Sequence, residues 1–221
     1  WSFQRSCAAV PWPLGGNMHY CLCVIHPDGT DVAEYLQPFD ENLEVQKYVE
    51  DGEEYWENPN SKWDWYQIGG RWACSLRLKD GVKPTPDMYG ESSRYLNESD
   101  IANRVDSALL NDIDMSLDMD AWNTALERWD KAMNGEMIGF FETKETLLRD
   151  YISKENYAAI AALFYFSYVI DYKGEWHQML PYDAWDCNIC DRIKWAQEFI
   201  QKFIRPVNPK RYRMTIVDIH R

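Results

Sequence analysis

The sequence predicts an α+β protein: one mainly antiparallel sheet containing the N- and C-terminal strands, with helices packed on it. Three observations predict it. A short apolar run at 19–25 (His-Tyr-Cys-Leu-Cys-Val-Ile) opens the folded part and closes at the turn His26-Pro-Asp-Gly29. A second apolar, β-branched run at 214–219 (Met-Thr-Ile-Val-Asp-Ile) lies at the far end. Between them, two stretches repeat apolar residues at helical spacing. Terminal strands of this kind pair most naturally at the centre of one sheet.

The elements follow in order. Residues 1–17 are set aside as an extension or cloning remnant, because Met18 stands directly before the first strand. Residues 18–221 are read as a single α+β domain with a helical, acidic insertion around 98–160. Val32, Leu36 and Phe39 line a short helix ending near Pro38. Asn58-Pro59 marks a turn, and Trp63, Trp65 and Gln67 then alternate with Asp64, Tyr66 and Ile68 as in a strand. Gly69-Gly70 makes a tight turn or bulge, and 72–78 returns as a second strand of the same hairpin. Residues 79–100 form a loop, and 98–120 are acidic and helical. Trp122, Ala125, Leu126, Trp129, Ala132 and Met133 give an amphipathic helix, with Asp120 as its cap and Gly135 as its stop. A short helix spans 143–152. A strand at 163–170 turns at Asp171-Tyr-Lys-Gly174 into Glu175-Trp-His177, forming a second hairpin. Ile189, Ile193, Trp195, Ala196, Phe199, Ile200 and Phe203 line the last helix, stopped before Pro206.

Composition excludes several classes. The 221 residues include 36 Asp+Glu against 23 Lys+Arg, a formal net charge of −13, with 46% hydrophobic and 15% aromatic residues. That apolar content builds a core and does not fit a disordered chain. No run reaches the roughly 18 apolar residues of a membrane helix. The acid excess argues against nucleic acid or anionic membrane as a partner, since phosphate binding rests on Lys and Arg. The charge is also polarised: residues 31–57 hold ten acids and one base, whereas 192–221 hold eight bases and two acids. The acidic stretch is either a solvated face or a surface that docks on a basic partner. The six Cys sit in a chain long enough to have a core, so they are read as reduced thiols in the cytoplasm rather than as a disulfide framework.

Four constellations carry possible chemistry. In Trp63-Asp64-Trp65…Gly69-Gly70-Arg71-Trp72, aromatic faces beside an Arg suit a planar ligand, with Asp64 reading a donor. The Gly pair would let backbone N–H groups approach an anion. The competing structural reading has the Trp rings filling a core and Asp64 pairing with Arg71. Next, Asp218 and His220 share one face of a strand. If the Trp176-His177 segment is a neighbour, two imidazoles and a carboxylate converge for acid/base work or a metal. Otherwise they are a polar strand end and a surface His. Third, Cys187-Asn-Ile-Cys190 has metal-ligand or redox spacing but no second motif to complete a zinc site. Finally, 112–123 resembles a calcium loop but has Leu117 and Asn123 where Gly and Glu are required, and it is rejected. No cofactor is expected.

The run 58–72 (Asn-Pro-Asn-Ser-Lys-Trp-Asp-Trp-Tyr-Gln-Ile-Gly-Gly-Arg-Trp) resembles a motif of small, uncharacterised proteins encoded by bacteriophages and by actinobacterial and firmicute genomes. Gly174-Glu-Trp-His177 and Thr215-Ile-Val-Asp-Ile-His220 are similar to two further pieces in the same order. After His177 the sequence departs from the Gly-rich aromatic pattern of that family. The resemblance implies a genomic setting rather than a mechanism. It leads to the expectation of a phage-type accessory protein acting by binding: an acidic inhibitor or sequestering protein aimed at a host defence factor, in the host cytoplasm. The alternative is a small enzyme or ligand-binding domain for a nucleotide-like molecule, using Trp63, Asp64, Trp65, Arg71, His177, Asp218 and His220.

Overall fold

The computed structural model describes residues 19–96, 101, 103–139, 142–179 and 188–221. It has the expected α+β architecture, with a mainly antiparallel sheet in which the first and last strands are central neighbours. The described residues divide into two compact units: those within 19–114, 167–177 and 207–221 form a sheet unit, and those within 115–166 and 178–206 form a helical unit.

In the sheet unit, β1 (His19–Pro27) and β10 (Tyr212–His220) pair antiparallel along their whole length, from His19 opposite His220 to Pro27 opposite Tyr212. β1 is flanked on its other side by β8 (Tyr168–Ile170), in the one parallel pairing of this sheet among the described residues. A strand covered on both faces reads as a continuous apolar run. Accordingly, residues 20–26 are all buried. β9 (Trp176–Gln178) closes that side as the hairpin partner of β8, through the expected turn at 171–174.

The far side of β10 is shared by two short strands. β7 (Ser107–Leu109) pairs with Arg213–Thr215, and β4 (Trp65–Ile68) pairs with Val217–His220. At the seam between them, the Ile216 carbonyl accepts from Gly69 N and the Ile216 amide donates to the Asp106 carbonyl. The expected hairpin of 63–68 with 72–78 is therefore corrected. β4 pairs with β10, Gly70–Trp72 is a 3-10 turn, and only β5 (Leu76–Arg77) is a strand, paired with β6 (Arg104–Val105). Residues 98–120 also depart from expectation. Ile101 is helical and 119–120 begin the next helix, but 104–109 form β6 and β7, and buried Val105, Asp106, Ser107 and Ala108 show why a strand wins there over an acidic helix. α1 (Val32–Leu36) lies against β1, capped by the Asp31 side chain. β2 (Tyr48–Glu50) and β3 (Glu53–Tyr55) form a separate hairpin around Asp51-Gly52, both at positive φ as a tight two-residue turn demands.

The helical unit holds α2 (Met119–Met133), α3 (Lys144–Tyr151), α4 (Lys154–Ala162) and α5 (Ile189–Phe199), the last running into a π-helical turn at Ile200–Ile204. The predicted stripe of α2 packs as expected: Ala125, Trp129 and Ala132 join Leu147, Tyr157 and Ala158 in one core. Its cap is Asp118 rather than Asp120. The Asp118 carboxylate accepts from Ala121 N at 2.9 Å, so the helix starts one residue before Asp120. The predicted strand 163–170 shrinks to 168–170, because α4 runs to Ala162 and its carbonyl accepts from Asp118 N. No described helix is long and apolar enough to cross a membrane.

Candidate functional site

The site lies where β1, β10 and β4 end together. Register places His19, His220 and Trp65 in one row, with Cys21, Asp218 and Gln67 in the row below on the same face. Asp218 is 1% exposed, and a carboxylate so buried needs partners. It has two: His19 Nδ1 stands 2.8 Å from Oδ1, and the Arg71 backbone amide donates to Oδ2 at 2.9 Å.

A second carboxylate serves the second imidazole. Asp64 precedes β4 and its amide donates to the His220 carbonyl at 3.1 Å, which pins its side chain beside the ring. His220 Nδ1 lies 2.6 Å from Asp64 Oδ1. The His19 and His220 ring centroids are 5.1 Å apart, edge to face. Each carboxylate accepts from its ring at Nδ1, which leaves the Nε2 edge of each ring for a ligand. The His220 Nε2 is buried and has no partner among the described residues.

Two residues at this edge offer contact surface. Trp65 is 46% exposed and its ring lies 5.9 Å from that of His19. Arg71 is exposed, and its guanidinium has no partner among the described residues. Trp63 is different: it is buried, with its indole N–H donating to the Leu36 carbonyl, and it serves packing. Trp72 is half-buried in the 3-10 turn.

The Gly pair is explained by crowding. A Cβ on Gly70 would stand 2.3 Å from the Asp218 Cβ, and one on Gly69 would stand 2.7 Å from Asp106 Oδ1. Both have positive φ. One backbone N–H of this turn does meet an anion, but it is the protein's own: Arg71 N donates to the Asp218 carboxylate, while Gly70 N donates to the neutral Ser92 hydroxyl. Fully buried Asp106 ties the neighbouring loops together by accepting from Cys74 N, Gly90 N and the Ser93 hydroxyl. Burial pushes the Cys74 thiol up to about 11.

His177 and Trp176 lie elsewhere. β9 is three strand spacings from β10, about 14 Å. His177 Nε2 is 3.0 Å from Asp171 Oδ2, while Trp176 packs on Phe39 and Tyr168. Cys187 lies outside the described residues, and Cys190 is an exposed free thiol. Of the seven residues expected to share a ligand site, Asp64, Trp65, Arg71, Asp218 and His220 meet at one edge, whereas Trp63 and His177 do not join them; His19, Asp106 and Ser93 were not anticipated. A signal for His19 existed: pairing of the two terminal strands sets it opposite His220.

No protein-family model, curated protein or solved structure matches this chain.

Proposed function

We propose that the protein is a small acid/base enzyme acting on a nucleotide-like molecule at the edge formed by β1, β10 and β4. The observation that carries this reading is the pair of adjacent imidazoles, each tethered at Nδ1 by its own carboxylate. Proton transfer in both directions within one reaction needs a base and an acid side by side, and phosphoester cleavage is a reaction class with that demand that also suits Trp65 and Arg71. Here His220 Nε2 takes a proton from the attacking hydroxyl or water, and His19, entering the cycle as the imidazolium, gives its Nε2 proton to the leaving oxygen; one proton exchanged with solvent resets the pair. A buried ring nitrogen without a partner is where a ligand group is expected. Trp65 offers a stacking face for a base, and the Arg71 guanidinium a fork for a phosphate. The test is turnover of a panel of linear and cyclic nucleotides, read by phosphorus NMR, in the wild type and in His19→Gln and His220→Gln. Loss of turnover in both variants with folding retained supports the reading. A wild type that neither binds nor turns over any nucleotide would sink it.

A second reading, a binding protein directed at a basic surface of a host defence factor, is favoured by a different observation. Glu50, Asp51, Glu53, Glu54 and Glu57 are all exposed around Val49 and Trp56, which are 67% and 65% exposed. Apolar anchors ringed by charge are the composition of a docking face. Trp56→Ala and a Glu53/Glu54→Gln pair should each weaken capture of such a partner, and the association should fall as salt rises. Capture unchanged in both variants removes this reading.

A further inference from the structure

The β8–β9 hairpin carries three potential ligand atoms that the histidine pair does not use. Strand alternation puts Glu175 and His177 on one face, opposite Trp176. The turn brings Asp171 to the same place, with Asp171 N donating to the Glu175 carbonyl. His177 Nε2 is 3.0 Å from Asp171 Oδ2 and 3.9 Å from Glu175 Oε2, and all three donor atoms lie within 4.8 Å of one another.

From this geometry we propose that Asp171, Glu175 and His177 bind a divalent first-row transition ion. Ligand atoms about 2.0–2.2 Å from one ion stand about 3–3.5 Å apart; the His177–Asp171 spacing of 3.0 Å meets that range, and a small inward rotation of the exposed Glu175 carboxylate brings its 3.9 Å into it. The donor chemistry is one imidazole and two carboxylates, which suits zinc, manganese or iron rather than calcium, whose sites are built from six or more oxygens. Asp171 is held ready. Its Oδ1 accepts from Lys173 N at 2.9 Å and Glu175 N at 3.0 Å, which leaves Oδ2 directed at the imidazole. Asp171 is buried whereas the Glu175 side chain is 61% exposed, so an arriving ion meets a fixed carboxylate on one side and a mobile one on the other.

The proposal is independent of the His19/His220 site, and the experiment separates the two. The full chain carrying His19→Gln and His220→Gln is titrated with Zn²⁺ alone by calorimetry, and with Co²⁺ by its visible absorption. One saturable equivalent is expected in that background. Affinity should fall at least about tenfold in His177→Gln and in Glu175→Gln. Glu175 is mostly exposed, so its replacement leaves the fold intact and keeps the test valid if His177→Gln unfolds. No saturable equivalent in that background, or an affinity unchanged by Glu175→Gln, overturns the proposal.

Discussion

His19 and His220 are direct cross-strand neighbours, with ring centroids 5.1 Å apart and planes at 67°. Their partners differ in a way that separates chemistry from stability. Asp218 is buried and also holds the Arg71 amide, whereas the Asp64 side chain is 34% exposed. Replacing Asp64 with Asn should therefore lower kcat by about 10–100-fold through loss of imidazole orientation. Stability should change by no more than about 1 kcal/mol. Asp218→Asn should lose activity and about 3 kcal/mol as well, because it disturbs a buried charge with two partners. Turnover alongside urea melts checks both. A wild-type rate in Asp64→Asn would show that His220 is not a proton-transfer group.

Gly70 tests the turn itself. At φ +53, with a Cβ position 2.3 Å from the Asp218 Cβ, alanine brings both backbone strain and a clash against a fully packed strand. Left-handed strain costs about 1–2 kcal/mol, and overpacking adds about 1–3 kcal/mol. Gly70→Ala should thus destabilise the sheet unit by about 2–5 kcal/mol, read from the shift of its denaturant midpoint. Gly81→Ala serves as the control, since Gly81 shares a positive φ of +83 but has no atom within 4 Å of its Cβ position. Equal losses in the two variants would mean that crowding against Asp218 contributes nothing.

How much of this was legible in the sequence depends on how local each feature is. The terminal strands and the α2 stripe follow from period alone, and both are present. The partner of β4 does not. Trp65–Ile68 has the period of a strand, but the choice between 72–78 and β10 rests on contacts across 149 positions, as in Ile68 opposite Val217. Gly69-Gly70 was legible as a break in the pattern, and its cause was not, because the clash involves Asp106 and Asp218 from distant segments. Asp64, Trp65 and His220 were legible as candidates by residue type. The pairing of Asp64 with His220 instead of Arg71 was not, since it follows from the register of β4 on β10.

His26 gives the acid limit. It is 3% exposed, with Nε2 at 2.9 Å from the Thr215 hydroxyl and Nδ1 at 3.1 Å from the Pro27 carbonyl. Burial lowers its pKa below 6.5, and Arg213 adds to that, while the Pro27 carbonyl, Asp28 and Asp31 pull the other way. The unfolded chain therefore binds a proton near pH 6.5 while the folded chain still refuses it. Stability is full above that pH and falls as pH drops through 6.5 toward the folded value. Chemical-denaturant midpoints measured from pH 8 to 5 should decline over that window. The decline should be shallower in His26→Gln, which loses the titration. Identical slopes for the two proteins would show that His26 does not set the acid limit.

Thiol reactivity reports whether the covered face of β1 stays closed. Cys21 and Cys23 are buried in β1, and Cys74 is buried with its thiol pushed up to about 11, so at pH 8 only about one Cys74 in a thousand is a thiolate. Cys190 sits exposed in the first turn of α5. Brief alkylation of the native protein, followed by peptide mapping, should label Cys190 within minutes and leave Cys21, Cys23 and Cys74 unmodified until global unfolding. Cys21 and Cys23 project from the face of β1 that also carries His19, and both are buried there, so each is reached only when the layer over that face lifts. Labelling of Cys21 at a rate near that of Cys190 would show that this face opens locally, and that the imidazole pair beside it is not held in one arrangement.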